Sequence, residues 1–208
     1  MRFSYPLILD VSNRLVVIIG GGAVAARKAG GLLAAGAVRI RVVAPKFCDA
    51  MPATVERILE PYASHHLGGA GLVFAATDTP EVNAAVVRDA HQLGLLVNRA
   101  DGAEEGSGDF SMPAVLRDDE LIVAVSTGQS PTLAAAIRDE IQSSLDSRWV
   151  KMLNAMKTLR PRALAETNSE IGRAMLRAMA TVEALEILEK QGIEALWQWL
   201  TKRHIKDA

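Results

Sequence analysis

Cysteine is almost absent from this sequence, and Cys48 is the single example among 208 residues. One thiol excludes an internal disulfide and any zinc site built from several cysteines, which is typical of a reducing compartment. No apolar run reaches the length of about 18 residues that a membrane-spanning helix needs. The start, MRFSYPLILD, also lacks the basic and then apolar layout of a signal peptide. We therefore expect a cytoplasmic protein with no membrane partner.

A large excess of charge is missing as well, since the net charge is −1, from 23 basic and 24 acidic residues. Such a balance gives no overall attraction to nucleic acid or to anionic lipid, so nucleic acid is not an expected partner. Half of the residues are hydrophobic. That share is ample for the core of one large domain or two small ones.

The chain is organised around a stretch that runs from a buried strand through three glycines into a helix. The apolar run Leu15–Ile19 ends at Gly20, and strong helix formers follow at once. Gly20, Gly22 and Ala25 fit the spacing G-x-G-x-x-A, which allows a tight turn, admits a phosphate and lets helix and strand pack closely. The spacing predicts a dinucleotide site at the helix N-terminus, where free N–H groups favour a pyrophosphate. The alternative is a tight turn that binds nothing.

Further strands alternate with helices along the first half of the chain. We predict helices at 23–35 and 81–93, and strands at 38–43, 55–59, 72–76 and 95–97. Segment 5–9 is expected to add an edge piece to the first strand. This alternation predicts a parallel sheet of the α/β class, whose ligands bind beyond the carboxyl ends of the strands.

Residues at those carboxyl ends are the candidates for holding the dinucleotide. They are Gly20, Gly22, Ala23, Val24, Pro45, Lys46, Thr77 and Asp78. Many dinucleotide folds place an acidic residue after the second strand to bind the ribose, whereas this sequence has Pro45 and Lys46 there. The choice between NAD and NADP is therefore open, since Lys46 could meet a 2′-phosphate or simply be solvated.

No metal site is predicted. His65 and His66 are the one pair of neighbouring candidate ligands. Adjacent side chains point to opposite faces of a strand or diverge on a helix, so we do not expect them to bind one ion together.

Several stretches occur in an order that resembles a known family. They are YPLILD before RLVVIIGGGAVAARKA, AATDTPEVN at 75–83, VNRAD at 97–101, DFSMPAVL at 109–116 and VAVSTGQSPTLAAAIRDEI at 123–141. Together these stretches resemble precorrin-2 dehydrogenase, the family of siroheme synthase N-terminal modules. Some members of that family are also sirohydrochlorin ferrochelatases.

The resemblance implies an enzyme that uses NAD to oxidise precorrin-2 to sirohydrochlorin, on the route to siroheme. It also implies that Asp101 is the catalytic residue, because the proton released with the hydride needs a base. Desolvation in a closed site could raise the pKa of this carboxyl. The residues alone favour a turn residue or a helix cap at Asp101 over a catalytic one. A bifunctional enzyme that also inserts Fe²⁺ is one alternative, and a non-catalytic NAD-sensing module is another.

We predict three regions in the chain. They are a Rossmann-like NAD-binding domain at 1–112, a small β/α segment at 113–146 and a helical C-terminal domain at 147–208. Strands at 110–116 and 121–125 and a helix at 131–145 are predicted for the middle of the chain, and the resemblance implies that this segment forms a homodimer.

The candidates for substrate binding are Ser126, Thr127 and Ser130. Ser130 precedes Pro131 at the start of a predicted helix, so that this N-terminus could bind a substrate carboxylate or simply be capped.

The C-terminal region is basic over residues 148–177, where seven basic residues face two acidic ones, a surplus of five positive charges. A basic helical surface of this kind suits a carboxylate-rich tetrapyrrole, although solvated helix faces explain the charge surplus equally well. Helix breaks are predicted near 160–162, 168 and 192. The tryptophans and paired methionines of this region are predicted to pack in a core or an interface.

Overall fold

The computed structural model describes residues 5–101, 108–128 and 130–204. The chain forms two compact units, Met1–Ser111 and Met112–Ala208. Within the described part, no helix is both long and apolar enough to cross a membrane.

The first unit is built on a parallel sheet of five strands in the order β3-β2-β1-β4-β5. The strands are β1 (Leu15–Ile19), β2 (Arg39–Val43), β3 (Glu56–Ile58), β4 (Leu72–Ala75) and β5 (Val97–Arg99). The chain runs outward from β1 to β2 and β3, then crosses back and adds β4 and β5 on the other side of β1. The order therefore reverses at β1, and the crevice at such a point is where open α/β sheets bind ligands.

Both faces of this sheet are covered. Helix α1 (Ala23–Ala34) packs with Val16 and Ile18 on one face, and α2 (Pro80–Gln92) packs with Val17 and Ile19 on the other. Every residue of β1 is buried as a result, which explains its unbroken apolar run. A short 3₁₀ helix, Ser64–Leu67, connects β3 to β4. The predicted Rossmann-like α/β class is confirmed.

The second unit begins with an antiparallel hairpin, β6 (Ala114–Asp118) and β7 (Leu121–Val125), against which α3 (Pro131–Ser144) packs. Three further helical segments follow, α4 (Arg148–Glu166), α5 (Ser169–Met179) and α6 (Val182–His204). The last is kinked at Gly192, whose φ of +84° is not helical, so the break predicted near 192 is confirmed. The three segments share a core that contains Met152, Met175 and Met179. The prediction that the methionines are packing residues is confirmed.

Some predicted element boundaries are wrong. Residues 5–9 form no strand and are mostly exposed, so the expected edge piece is absent from the described chain. The predicted strands 95–97 and 110–116 lie later, at Val97–Arg99 and Ala114–Asp118. Helix α4 continues through Pro161, because Leu159 and Ala163 on either side are buried in the helical core.

Candidate dinucleotide and catalytic site

The glycine turn after β1 packs backbone directly against backbone. Gly20 has a φ of +127°, and a Cβ placed on it would collide with the carbonyl of Ala76 at the end of β4. Its N–H donates to the carbonyl of Val43 at the end of β2, at 2.9 Å. This residue therefore links the ends of three neighbouring strands, and only glycine fits there.

Gly21 makes a close backbone contact with Lys46, which the sequence analysis missed. A Cβ on it would collide with the backbone carbonyl of Lys46 and approach the Ala44 side chain. The Cys48 N–H donates to the Gly21 carbonyl at 2.8 Å. The segment after β2 is thus fixed against the glycine turn, which places the exposed residues Pro45 and Lys46 beside it.

Gly22 differs from its two neighbours because a Cβ there would meet nothing within 4 Å. Its backbone, together with the exposed Ala23 and Val24, opens the N-terminus of α1 to solvent. Ala25, the small third residue of the motif, is completely buried against the sheet. The turn therefore has the closed and open sides that a pyrophosphate site requires.

The end of β4 is fastened by Asn83 of α2, which the sequence analysis did not single out. Its Oδ1 accepts from the Thr77 N–H at 3.1 Å and from the Thr77 hydroxyl at 2.8 Å, and its Nδ2 donates to the Thr77 carbonyl at 3.1 Å. Asn83 is fully buried. The predicted residue Thr77 is therefore held rigidly, whereas the neighbouring Asp78 is exposed.

Asp101, after β5, is held by the same asparagine and by an arginine. The Arg99 guanidinium donates to both carboxylate oxygens, at 2.6 and 2.9 Å, and Asn83 Nδ2 donates to Oδ2 at 2.9 Å. The Arg99 side chain is 5% exposed and that of Asp101 is 21% exposed. The hydrogen bond to Asp101 raises the pKa of Arg99 above its ordinary value. By the same pairing, Arg99 favours the ionised form of Asp101, which opposes the desolvation effect expected from the sequence.

Residues 109 and 110, which follow the undescribed residues 102–107, contact β5. Asp109 forms two hydrogen bonds with Val97. Its N–H donates to the Val97 carbonyl at 2.7 Å, and its Oδ2 accepts from the Val97 N–H at 2.9 Å. Asn98, which is 5% exposed, donates to the Phe110 carbonyl at 2.7 Å. Asp109 and Phe110 are therefore fastened to β5.

These residues converge on one edge of the sheet. The groups predicted to hold the dinucleotide follow β2, β1 and β4, and Asp101 follows β5, so they lie at the carboxyl ends of four strands in unbroken spatial order. The arrangement offers backbone donors for a phosphate and a fixed carboxylate two strands away.

The remaining predicted residues belong to the second unit. Ser130 Oγ accepts from the Leu133 N–H at 3.3 Å, so Ser130 caps α3, and the Thr127 hydroxyl donates to the Ser130 carbonyl at 2.6 Å. Ser126 is exposed. Substrate binding by these three residues stays a prediction.

The two histidines do lie together, contrary to the geometric expectation. Their ring centroids are 4.1 Å apart, and ligand atoms of Glu60, His65 and His66 all lie within 4.8 Å of one another. However, His66 Nδ1 accepts from the Ala63 N–H at 3.0 Å, which leaves the ring proton on Nε2, 3.2 Å from Glu60. With both ring nitrogens occupied in this way, His66 keeps no lone pair for an ion.

The basic stretch 148–177 is largely neutralised by acidic residues, most of which lie outside the window that the sequence count covered. Lys151 pairs with Glu189, Lys157 with Glu120, and Arg148 with Asp146. Arg162 pairs with Glu166 and Glu194, and its guanidinium also covers the ring of the buried Trp197 at 4.3 Å. The basic residues of 148–177 therefore do not form a continuous basic surface.

Residues 7–114 match the family model NAD_binding_7, described as "Putative NAD(P)-binding". The match covers the sheet, the glycine turn and Asp101. The chain belongs to this family. The dinucleotide site that the glycine spacing predicted, and the nicotinamide cofactor that the resemblance implied, are thereby confirmed.

Curated relatives extend the similarity into the second unit. Siroheme synthase 2 of Aeromonas salmonicida (strain A449) is 35% identical over 201 residues, which are 94% of this chain and 41% of that protein. Siroheme synthase of Chromobacterium violaceum (strain ATCC 12472) is 38% identical over 154 residues, 71% of this chain and 32% of that protein. The chain thus spans less than half the length of these relatives. The resemblance to siroheme synthases that the motifs indicated is confirmed.

A solved structure has the same fold. It is "SirC, precorrin-2 dehydrogenase", with a TM-score of 0.75 and 23% identity, and the match covers 96% of this chain and all of that one. At this identity, the likeness establishes the fold alone.

Proposed function

We propose that this chain oxidises precorrin-2 to sirohydrochlorin with NAD⁺ as the hydride acceptor. The observation that carries the proposal is the carboxylate of Asp101, fixed by Arg99 and Asn83 at the same sheet edge as the open glycine turn. The siroheme synthase relatives and the SirC fold support this choice of substrate.

The residues divide the work by their chemistry. Backbone N–H groups at the start of α1, beside the open Gly22, bind the pyrophosphate of the dinucleotide. When bound there, NAD⁺ would supply the acceptor for the hydride, that is, for one proton with two electrons. Asp101 accepts the proton that leaves the tetrapyrrole, and the Arg99 fork keeps its carboxylate oxygens oriented and deprotonated before each turnover.

The test is anaerobic turnover of freshly made precorrin-2 with NAD⁺, in which reduced nicotinamide and the sirohydrochlorin spectrum are followed together. Both signals should rise in step. Asp101→Asn, which keeps the shape and the hydrogen bond from Asn83, should lower kcat by roughly a hundredfold or more while leaving the Kd for NAD⁺ unchanged.

The matched control is Asp49→Asn, because Asp49 is an exposed aspartate of the same unit. It should turn over at the unmodified rate. Unchanged kcat in Asp101→Asn would remove Asp101 from the mechanism. NAD⁺ binding without any turnover by the unmodified chain would favour a non-catalytic NAD-sensing module instead.

Four finer points stay predictions within this proposal. NAD rather than NADP is tested by comparing kcat/KM for the two cofactors in the unmodified chain and in Lys46→Ala. The homodimer is tested by sedimentation, and the cytoplasmic location by fractionation. Insertion of Fe²⁺ into sirohydrochlorin, with Fe²⁺ as a second substrate, is tested by adding the ion after the oxidation is complete.

A further inference from the structure

Lys28 of α1 reaches across the sheet to β5. Its Nζ donates to Asn98 Oδ1 at 2.7 Å and lies 5.1 Å from the centre of the Phe74 ring. The other end of the Asn98 amide donates to the carbonyl of Phe110. The ammonium group thus lies beside Asn98, the middle residue of β5 and three positions before Asp101, among neutral neighbours from β4, β5 and the segment that contains Phe110.

No carboxylate of the described residues forms an ion pair with Lys28. Of the described carboxylates that flank β5, Asp101 pairs with Arg99 and Asp109 pairs with His91. The charged group that acts on Lys28 is Arg27 on the same helix, which repels it. A half-buried cation without a counter-charge is unfavourable, and such groups are concentrated at functional sites.

The hydrogen bond to Asn98 does not by itself require a charge. A neutral donor would satisfy Oδ1 without the cost of burying an ammonium group. An ammonium carries three N–H donors, and Asn98 takes one of them in this structure. The positive charge and the further donors are what a carboxylate ligand uses, and the tetrapyrrole of the proposed reaction is rich in carboxylates.

We propose that Lys28, oriented by Asn98, binds a carboxylate of the tetrapyrrole substrate at the β5 end of the site. This inference rests on the proposed function. Burial, with the charge of Arg27, lowers the pKa of Lys28 to about 8. The binding group is therefore mostly charged at neutral pH and loses its charge as the pH rises through 8.

The experiment compares the unmodified chain with Lys28→Met, which keeps the length without the charge, and Lys28→Arg, which keeps the charge at every assay pH. KM and kcat for precorrin-2 are measured between pH 6.5 and 9.5. In the unmodified chain, KM should rise above pH 8. Lys28→Met should show a KM raised about tenfold at pH 7, the loss expected for one charged hydrogen bond, and no further rise above pH 8. Lys28→Arg should bind at neutral pH and also lose the rise.

Arg39→Met is the matched control, because it removes a positive charge from the same unit at an exposed position. Its KM at pH 7 should stay within about twofold of the unmodified value. The Kd for NAD⁺ should be the same in all four proteins, which separates a substrate contact from damage to the glycine turn.

The inference is overturned if Lys28→Met keeps the unmodified KM, or if the rise above pH 8 persists in that variant. It is also overturned if the Kd for NAD⁺ and the melting temperature fall together with substrate binding, since Lys28 would then be only a structural clasp for Asn98. Turnover of precorrin-2 by the unmodified chain is measured first. If there is none, the proposed function fails and this inference falls with it, whereas turnover with an unaffected Lys28→Met variant removes the inference alone.

Discussion

The two ends of the site are built in opposite ways. At β1, the arrangement depends on side chains that are missing: Gly20 and Gly21 lie against the carbonyls of Ala76 and Lys46, and Gly22 is left open. At β5, it depends on side chains that are present, because Arg99 and Asn83 hold Asp101 in place.

This difference determines how each end fails. A backbone-on-backbone contact has no room to adjust, so one added methyl group forces the chain apart. A side-chain network keeps its surroundings when one member is removed, and it loses orientation and charge balance instead. Substitutions at β1 should therefore affect folding and cofactor binding together, and those at β5 should affect turnover first.

The largest effect is expected at Gly21. Gly21→Ala places a Cβ on the carbonyl of Lys46, which must move, and the free energy of unfolding should fall by about 3 kcal/mol. Because the segment after β2 shifts with it, NAD⁺ binding should weaken too. Urea denaturation and fluorescence titration of NAD⁺ measure both quantities.

Gly30→Ala is its control, since a Cβ at this position within α1 would meet nothing within 4 Å. Alanine is the better helix former, so this variant should gain roughly 0.5 to 1 kcal/mol. Equal losses in both variants would show that the segment after β2 is not packed on the glycine turn as described.

A smaller effect on folding and a larger one on catalysis are expected at Arg99. Arg99→Lys keeps the charge without the fork, and Arg99→Met removes both. Because Arg99 favours the ionised form of Asp101, the acidic limb of the kcat profile should move to higher pH in Arg99→Met and less far in Arg99→Lys. An acidic limb that stays in place in both variants would mean that Asp101 is not the group that titrates in it.

The contrast also explains what could be predicted from the sequence. The strand Leu15–Ile19, the turn at Gly20 and the helix after it are consecutive, so local spacing was sufficient to predict them. Asn83 and Asp101 are 18 positions apart and meet only because α2 and β5 lie next to each other in the fold. The Arg99 fork and the contact of Gly21 with Lys46 escaped prediction for similar reasons, since each depends on packing geometry rather than on a motif.

The same limit applied to the second unit. Pro161 was expected to break a helix, yet buried neighbours on both sides keep α4 continuous. The surplus of charge in 148–177 was real as a count, but partners such as Glu120 and Glu189 lie outside that window. Charge along a sequence therefore predicts little about the charge of a folded surface. The local signal at Asn168 correctly predicted a helix break, and in the structure its Oδ1 caps α5 by accepting from the Ile171 N–H at 2.9 Å.

The smallest effect is expected at Lys28. Burying its positive charge should lower the free energy of unfolding. Its pKa is about 8 in the folded chain against 10.5 when unfolded, so the unfolded state binds more protons between these values and stability rises with pH across that window. The burial cost is present in full below pH 8 and disappears toward pH 10.5. Because the group keeps some access to water, we expect it to reach about 1 kcal/mol only.

Lys28→Met should remove this dependence. The methionine variant also loses the hydrogen bond to Asn98, but that loss adds an offset that does not change with pH. The difference in free energy of unfolding, variant minus unmodified, should therefore be most positive near pH 7 and should decline between pH 8 and 10.5. Urea denaturation at several pH values measures it, with the exposed Lys202→Met as control. Other titrating groups, such as Tyr62, whose pKa is raised by burial and by Asp89, cancel in this difference. If the free energies of unfolding of the two proteins changed with pH in parallel, Lys28 would bear no burial cost. The argument that it binds a substrate carboxylate would then lose its basis.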